Sequence, residues 1–304
     1  MSSAHERFRS GFVSLLGRPN SGKSTLLNAL VGGKLAIVSE KPQTTRTSIQ
    51  GVLTVDKAQI VFLDTPGIHE STTLLNKHMM EMVRSALADR DVLLYLADST
   101  TPFTDQDRKA LDVLGKSGAP CLLVLTKIDR LDDKRRLLPL IELYKAGREF
   151  ADYIPISAIT GEGVESLRGA ILDRLPEGPP FFPPDHITDQ PERFLAAELI
   201  REKILRETRQ EVPHSVAVLI EQWEEKPRLT RISALIYVER PGQKAIIIGA
   251  KGATLKKIGT LARQEMESTF SRKIFLGLAV KVRPAWREDP EFLKAIDWRA
   301  MTGV

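Results

Sequence analysis

Eight residues near the start of the chain, Gly17-Arg18-Pro19-Asn20-Ser21-Gly22-Lys23-Ser24, have the types and spacing needed to grip a polyphosphate. Glycines at both ends of a short loop let backbone N–H groups turn inward around phosphate oxygens. A helix starting there adds its positive end to the same anion. In such a loop Lys23 reaches the β- and γ-phosphates and the Ser24 hydroxyl ligates Mg²⁺. Thr25, the next residue, completes the candidate set. The loop follows the apolar run Phe12–Leu16 and precedes a helical pattern, which is the context this chemistry needs.

Further candidates follow in order. Asp64-Thr65-Pro66-Gly67 closes the apolar run 60–63. There an acid can hold Mg²⁺ through water and the Gly67 N–H can face a γ-phosphate. By itself the tetrapeptide is an ordinary turn, and its distance from the phosphate loop gives it meaning. Between the two lies the polar stretch Gln43-Thr44-Thr45-Arg46, where a threonine can complete the metal shell when a γ-phosphate is present; Thr45 is the first candidate and Thr44 the second. Metal ligands would therefore be Ser24, Thr45 and Asp64, and the groups acting on the phosphates Lys23, Thr45 and Gly67. Thr126-Lys127-Ile128-Asp129 also ends an apolar run. The Asp129 carboxylate can accept from guanine N1–H and N2–H₂, whereas adenine would leave that charge unpaired. Lys127 can cover the base, and Ser157-Ala158 can offer backbone N–H to guanine O6.

Elements must position these residues. Strand patterns fall at 12–16, 49–55, 59–63, 92–97, 121–125 and 153–156, with helical patterns at about 75–88, 104–117, 134–149 and 163–174. This alternation predicts an α/β domain with a mostly parallel sheet. The second and third strands read as an antiparallel pair turning near Asp56-Lys57. Prolines at 176, 179, 180, 183 and 184 exclude helix and central strand, so they read as a stiff linker. The expected organisation is a domain over 1–178, a linker over 179–191 and a second, α+β domain over 192–304. In the latter, a helix carries Leu195, Leu199, Ile200 and Ile204, followed by β-rich stretches 214–223 and 230–238. A helix over about 253–269, a strand at 274–282 and a short helix near 288–298 complete it. Lys244–Ile248 reads equally as strand or helix.

Charge separates the two parts. Residues 1–180 hold 23 Lys/Arg against 22 Asp/Glu, while residues 240–287 hold 11 Lys/Arg against Glu265 and Glu267 alone. That local excess looks like the footprint of a polyanion. Within it lies Gly249-Ala250-Lys251-Gly252, a GXXG loop followed by Lys256 and Lys257 on the next helix. Glycine there lets a nucleic-acid backbone come close, and the lysines supply charge. The single cysteine, Cys121, sits in an apolar run and cannot form an internal disulfide. Met1–Ser10 lacks the apolar core of a signal peptide, and no apolar stretch approaches the ~20 residues that span a bilayer. A cytoplasmic location is expected, with peripheral membrane contact left open.

On the residues of the phosphate loop, Gln43–Arg46, Asp64–Gly67, Thr126–Asp129 and Ser157-Ala158, the chain resembles the translation-factor-related GTPases. Over its whole length it resembles the Era family. The resemblance implies a P-loop domain followed by a type II KH domain, with Lys244–Ile248 as a short helix. It also implies binding of GTP or GDP with Mg²⁺, slow hydrolysis, and recognition of the 3′ end of small-subunit ribosomal RNA during assembly of that subunit. No obligate protein partner is implied. Two departures stand out: Thr126 occupies a position usually held by Asn, and Ile68 stands where Ras-like relatives carry a water-orienting glutamine. In related proteins an Asn at the position of Asn20 accompanies a K⁺ ion that assists hydrolysis. There are two rivals: a membrane-associated signalling GTPase whose basic second domain contacts lipid or protein, and a GTP-dependent RNA-modifying enzyme, which would need a nucleophilic cysteine or a one-carbon site.

Overall fold

A computed structural model of the chain describes residues 8–41, 43–68, 73–88, 90–115, 117–208 and 212–299. Met1–Arg7, part of the stretch read above for a signal peptide, lie outside that range. The chain forms two compact units. One comprises Met1–Leu35, Thr45–Glu70 and Met79–Asp189; the other comprises Ala36–Thr44, Ser71–His78 and Gln190–Val304.

The strands of the first unit are β1 (Arg9–Gly17), β2 (Ile49–Val55), β3 (Ala58–Asp64), β4 (Val92–Asp98), β5 (Cys121–Thr126) and β6 (Asp152–Pro155). They form a sheet in the order β2-β3-β1-β4-β5-β6, parallel except for the β2–β3 hairpin. Helices α1 (Lys23–Val31), α2 (Leu74–Ser85), α3 (Asp105–Leu114), α4 (Leu137–Gly147) and α5 (Val164–Leu172) alternate with them. Residues 92–97 of β4 are all buried, as a central parallel strand covered on both faces requires. Tyr95 and Leu123 share a core with Ala110, Leu111 and Leu114 of α3 and Leu140 and Tyr144 of α4. The candidate nucleotide motifs follow the carboxyl ends of β1, β3, β5 and β6, where ligands of open α/β sheets bind.

The proline-rich stretch expected as a stiff linker is hydrogen-bonded to this unit at several points, although most of its residues are exposed. Gln59 accepts the N–H groups of Phe181 and Phe182 at 2.7 and 2.9 Å and donates to the Phe182 carbonyl at 2.9 Å. Val52 of β2 donates to the Ile187 carbonyl at 2.8 Å. An edge strand presents unpaired backbone groups, and residues 179–189 satisfy some of them.

After α6 (Glu192–Glu207), the second unit has β7 (Ala217–Lys226), β8 (Leu229–Val238) and β9 (Ile274–Val282), in the sheet order β7-β8-β9. The β7–β8 pair is antiparallel and the β8–β9 pair parallel. Between β8 and β9 lie α7 (Pro241–Ile248) and α8 (Ala253–Phe270), and α9 (Pro290–Ile296) follows. Pro241 opens α7, where a missing N–H costs nothing, and the Gln243 side chain accepts the N–H groups of Glu239 and Arg240 at 3.0 Å. That cap, with Ile247 fully buried in the core, makes Lys244–Ile248 helical. Leu199, Ile200 and Ile204 of α6 and Ile258, Ala262 and Met266 of α8 pack on the sheet.

Candidate functional site

Sheet order brings the first two motifs together: β1 lies beside β3, with Leu15 opposite Asp64, so the loop after β1 meets the turn after β3. The Ser24 hydroxyl donates to Asp64 Oδ2 at 2.6 Å and lies 2.8 Å from Thr45 Oγ1. Asp64 Oδ1 is buried with no hydrogen-bond donor. Three oxygens of this kind, one an orphaned carboxylate atom, suit a hard divalent cation such as Mg²⁺. The Thr44 hydroxyl is committed elsewhere, donating to the Lys41 carbonyl at 2.6 Å. Geometry thus separates two adjacent threonines of the same type.

Lys23 is buried, and its Nζ donates to the carbonyls of Gly17 and Arg18 at 3.2 and 2.9 Å. Burial pushes its ammonium down to about 8, although Asp64 opposes the shift. Burial likewise raises Asp64 to about 6 against the pull of Lys23, Ser24, Thr45 and the Thr65 backbone. Both groups are held where their charged forms are poorly solvated, so a ligand bearing the complementary charges would bind to each.

Gly67 packs against the phosphate loop: a Cβ there would lie 2.6–2.8 Å from Pro19 atoms. The Ile68 N–H donates to the Gly17 carbonyl at 3.0 Å, tying the turn to the start of the loop. Thr65 secures it from beneath through a 2.8 Å bond to the Leu15 carbonyl, and Pro66 is buried. Asn20 is exposed at the loop's tip with φ 64°, a conformation Asn tolerates better than most residues. Arg18 turns its guanidinium to Asp107 at 2.8 Å and Gln106 at 2.9 Å, so only its backbone faces the candidate phosphate site.

Thr126 Oγ1 lies 2.8 Å from the Ser21 carbonyl and 3.1 Å from that of Ala97. A hydroxyl has one proton, and the shorter contact ties the base motif to the phosphate loop. Lys127, at φ 61°, extends to Asp98 Oδ2 at 2.5 Å. Burial pushes the Asp98 carboxyl up, but bonds from Lys127 and Thr100 hold it below its ordinary value. Ile128 is buried and Asp129 exposed, which leaves the carboxylate accessible to a base. The Ser157 N–H donates to the Glu162 carbonyl at 2.8 Å, leaving Ala158 as the residue to meet guanine O6. Sequence reasoning missed Asp98. Its signal was an acid closing an apolar strand, the same pattern as Asp64, but its pairing with the base motif follows from the β4–β5 register, Asp98 opposite Thr126.

The GXXG loop is built differently. Gly249 at φ 70° is crowded, since a Cβ would meet Thr254 Oγ1 at 2.2 Å; Gly252 at φ 80° faces open space. Between them Ala250 and Lys251 are exposed, and Lys251 also has a positive φ of 51°. Lys256 and Lys257 are exposed on the following helix, Lys257 pairing with Glu207 at 2.7 Å. The loop therefore offers one lysine, backbone and an uncovered glycine to a polyanion. Cys121 is buried and its thiol pushed up to about 12 by that burial, so it does not serve as the nucleophile that one form of the RNA-modifying reading would use.

The fold and the two sites define a P-loop guanine-nucleotide-binding domain joined to a KH module. Family models agree: one for 50S ribosome-binding GTPases matches residues 12–127, and one for KH domains matches residues 211–287. The chain is 50% identical over 293 residues to GTPase Era of Geobacter metallireducens, covering 96% of this chain and 98% of the relative. It is 49% identical over 289 residues to GTPase Era of Syntrophus aciditrophicus, covering 94% of each. Two solved structures superpose over 96% of this chain and 99% of their own at 42% identity. One is an Aquifex aeolicus Era variant bound to GDP·AlF4⁻, with a TM-score of 0.92. The other is Era in complex with MgGDPNP and nucleotides 1506–1542 of 16S ribosomal RNA, with a TM-score of 0.93. This chain belongs to the Era family of GTPases.

Proposed function

We propose that this GTPase is a switch that binds Mg²⁺·GTP at the Gly17–Ser24 loop and single-stranded RNA at the Gly249–Gly252 loop. Its target is the 3′ end of small-subunit ribosomal RNA, and its partner the small ribosomal subunit during assembly. The observation that carries the RNA half is the uncovered face at Lys251-Gly252, set in the most basic stretch of the chain. The relative solved with a 16S ribosomal RNA segment supports the choice of RNA.

In this reading Ser24, Thr45 and Asp64 hold Mg²⁺, which neutralises developing charge between the β- and γ-phosphates. Lys23 leaves its loop carbonyls for phosphate oxygens, and Gly67 senses the γ-phosphate. Attack of water on the γ-phosphorus yields GDP and phosphate. Ile68 cannot orient that water, so turnover is slow. A K⁺ ion held near Asn20 would supply charge that no arginine or glutamine supplies. Equal turnover in matched potassium and sodium salts would remove the ion from the scheme.

In this reading the protein acts in the cytoplasm, with peripheral membrane contact as a further partner expectation; vesicle co-sedimentation with and without RNA checks that contact. Among the described residues no helix is long and apolar enough to cross a membrane. The central test is a gel shift with a 3′-terminal small-subunit RNA oligonucleotide across a salt series, with a GTP analogue and with GDP. Salt-sensitive binding that is tighter with the analogue supports the switch. Binding indifferent to the nucleotide rejects it.

A further inference from the structure

The charged residues Arg201, Glu202 and Lys203 lie on α6, the first helix of the RNA-binding unit, and all three are buried. Nothing in the RNA reading uses them. Buried ion pairs are poor stabilisers, because desolvation offsets most of the attraction and apolar residues of similar size serve as well or better. Their bonds show what they hold. Glu202 accepts the Val38 N–H at 2.9 Å and is itself paired with Lys203 at 2.8 Å and Arg206 at 3.3 Å. Lys203 also pairs with Glu265. Arg201 is held two-fold by Glu198, at 2.7 and 2.6 Å, and donates to the Thr44 carbonyl and, at 3.4 Å, to that of Gln43.

Every backbone group gripped here belongs to Ala36–Thr44, the stretch that precedes the candidate metal ligand Thr45. The same stretch clusters with the RNA-binding unit, and its Ile37, 1% exposed, is part of that unit's apolar core. One peptide bond separates the carbonyl held by Arg201 from Thr45, whose hydroxyl lies 2.8 Å from Ser24 Oγ. A guanidinium fixed by a bidentate carboxylate is a rigid donor, so holding residue 44 restricts where residue 45 can stand.

We propose that Arg201 is a positioning residue for Thr45: by holding the carbonyls of Gln43 and Thr44, it sets the γ-phosphate-dependent metal ligand and couples it to α6 of the RNA-binding unit. This rests on the switch reading above. GDP has no γ-phosphate for Thr45 to report, so Arg201 matters to the triphosphate state and little to the diphosphate state.

The test measures Mg²⁺-dependent affinity of the full chain for GDP and for a non-hydrolysable GTP analogue. Arg201→Met should weaken the analogue about tenfold and leave GDP within about twofold, the loss expected for a charge-assisted bond. Arg201→Lys, which keeps the charge and one donor, should recover part of the loss and remains informative if the Met variant fails to fold. In a Thr45→Ala background the Arg201 change should have no further effect on the analogue-to-GDP ratio, because its route runs through Thr45. Equal losses for both nucleotides, or additive effects in the double variant, would overturn the proposal. A second arm measures the factor by which the analogue changes RNA affinity, which linkage makes equal to the reverse factor. Arg201→Met should bring it close to one. If the wild type shows no such factor, the switch reading fails while the nucleotide arm still decides the role of Arg201. If the wild type couples and the variant couples equally, the positioning role fails.

Discussion

The phosphate loop and the GXXG loop are both glycine-bounded turns that open a helix, yet their surroundings differ in kind. Around the first, Lys23, Thr45 and Asp64 are buried, and Gly67 packs against Pro19 at contact distance. Around the second, Lys251 is exposed and nothing lies within 4 Å of where a Gly252 Cβ would stand. A small ligand of fixed shape can be met by a preformed pocket whose buried charges wait for their counterparts. A flexible polymer is met on an open surface, where charge and close approach count for more than enclosure. The first site concentrates its effect in a few groups, and the second spreads it.

Replacing a buried charge should show that concentration most strongly. Lys23→Ala removes the phosphate's main cationic partner, and GTP-analogue affinity should fall by about 10³-fold or more. RNA affinity measured without nucleotide should hold. A comparable loss of RNA binding would mean the two loops are not separate sites.

Next come the two glycines of the RNA loop, which the structure sets apart. Gly252→Asp places bulk and negative charge in open space, and RNA affinity should drop by about 10²-fold while nucleotide binding survives. Gly249→Ala meets Thr254 in addition to its positive φ, so its signature should be a lowered melting temperature by thermal unfolding. An aspartate variant that folds and keeps wild-type RNA affinity would show that this loop is not the clamp.

The buried pair should also impose a pH window on one site and spare the other. Mg²⁺·GTP-analogue binding needs Asp64 ionised and Lys23 protonated. With Asp64 raised to about 6 and Lys23 lowered to about 8, affinity should peak between those values. It should fall about tenfold per pH unit on the acid side, as the carboxyl takes up a proton, and on the alkaline side, as the ammonium loses one. The Gly249–Gly252 loop contains no carboxylate or imidazole, so nucleotide-free RNA affinity should stay level from pH 6 to 8. Titration calorimetry at three pH values checks both curves.

The smallest effect belongs to a single exposed charge. Lys251→Ala should weaken RNA binding severalfold and reduce the log–log salt slope by about one unit. A change as large as that of Gly252→Asp would show that charge, and not close approach, dominates the loop.

Much of this was legible in the chain as a string. The phosphate loop, Asp64–Gly67 and Thr126–Asp129 are short motifs at strand ends, and the strands announce themselves because a doubly covered strand must be apolar along its length. The GXXG loop was equally plain, since its chemistry lies in four consecutive residues and the charge around them. Other features depended on partners distant in sequence. Which of Thr44 and Thr45 faces Ser24 is settled by where each hydroxyl finds its bond, and Thr44 finds its own at Lys41. Lys244–Ile248 became a helix through the Gln243 cap and the burial of Ile247. The proline-rich stretch that reads as a stiff linker is held at Phe181 and Phe182 by Gln59, more than 120 positions earlier. The attachment of Ala36–Thr44 to the second unit rests on bonds across more than 150 positions, from Arg201 and Glu202. A motif carries its chemistry in the types and order of neighbouring residues, so the sequence alone located both candidate loops. A buried hydrogen bond selects its partner by proximity in space, so the tertiary structure alone decided which threonine faces Ser24 and which unit holds the segment before it.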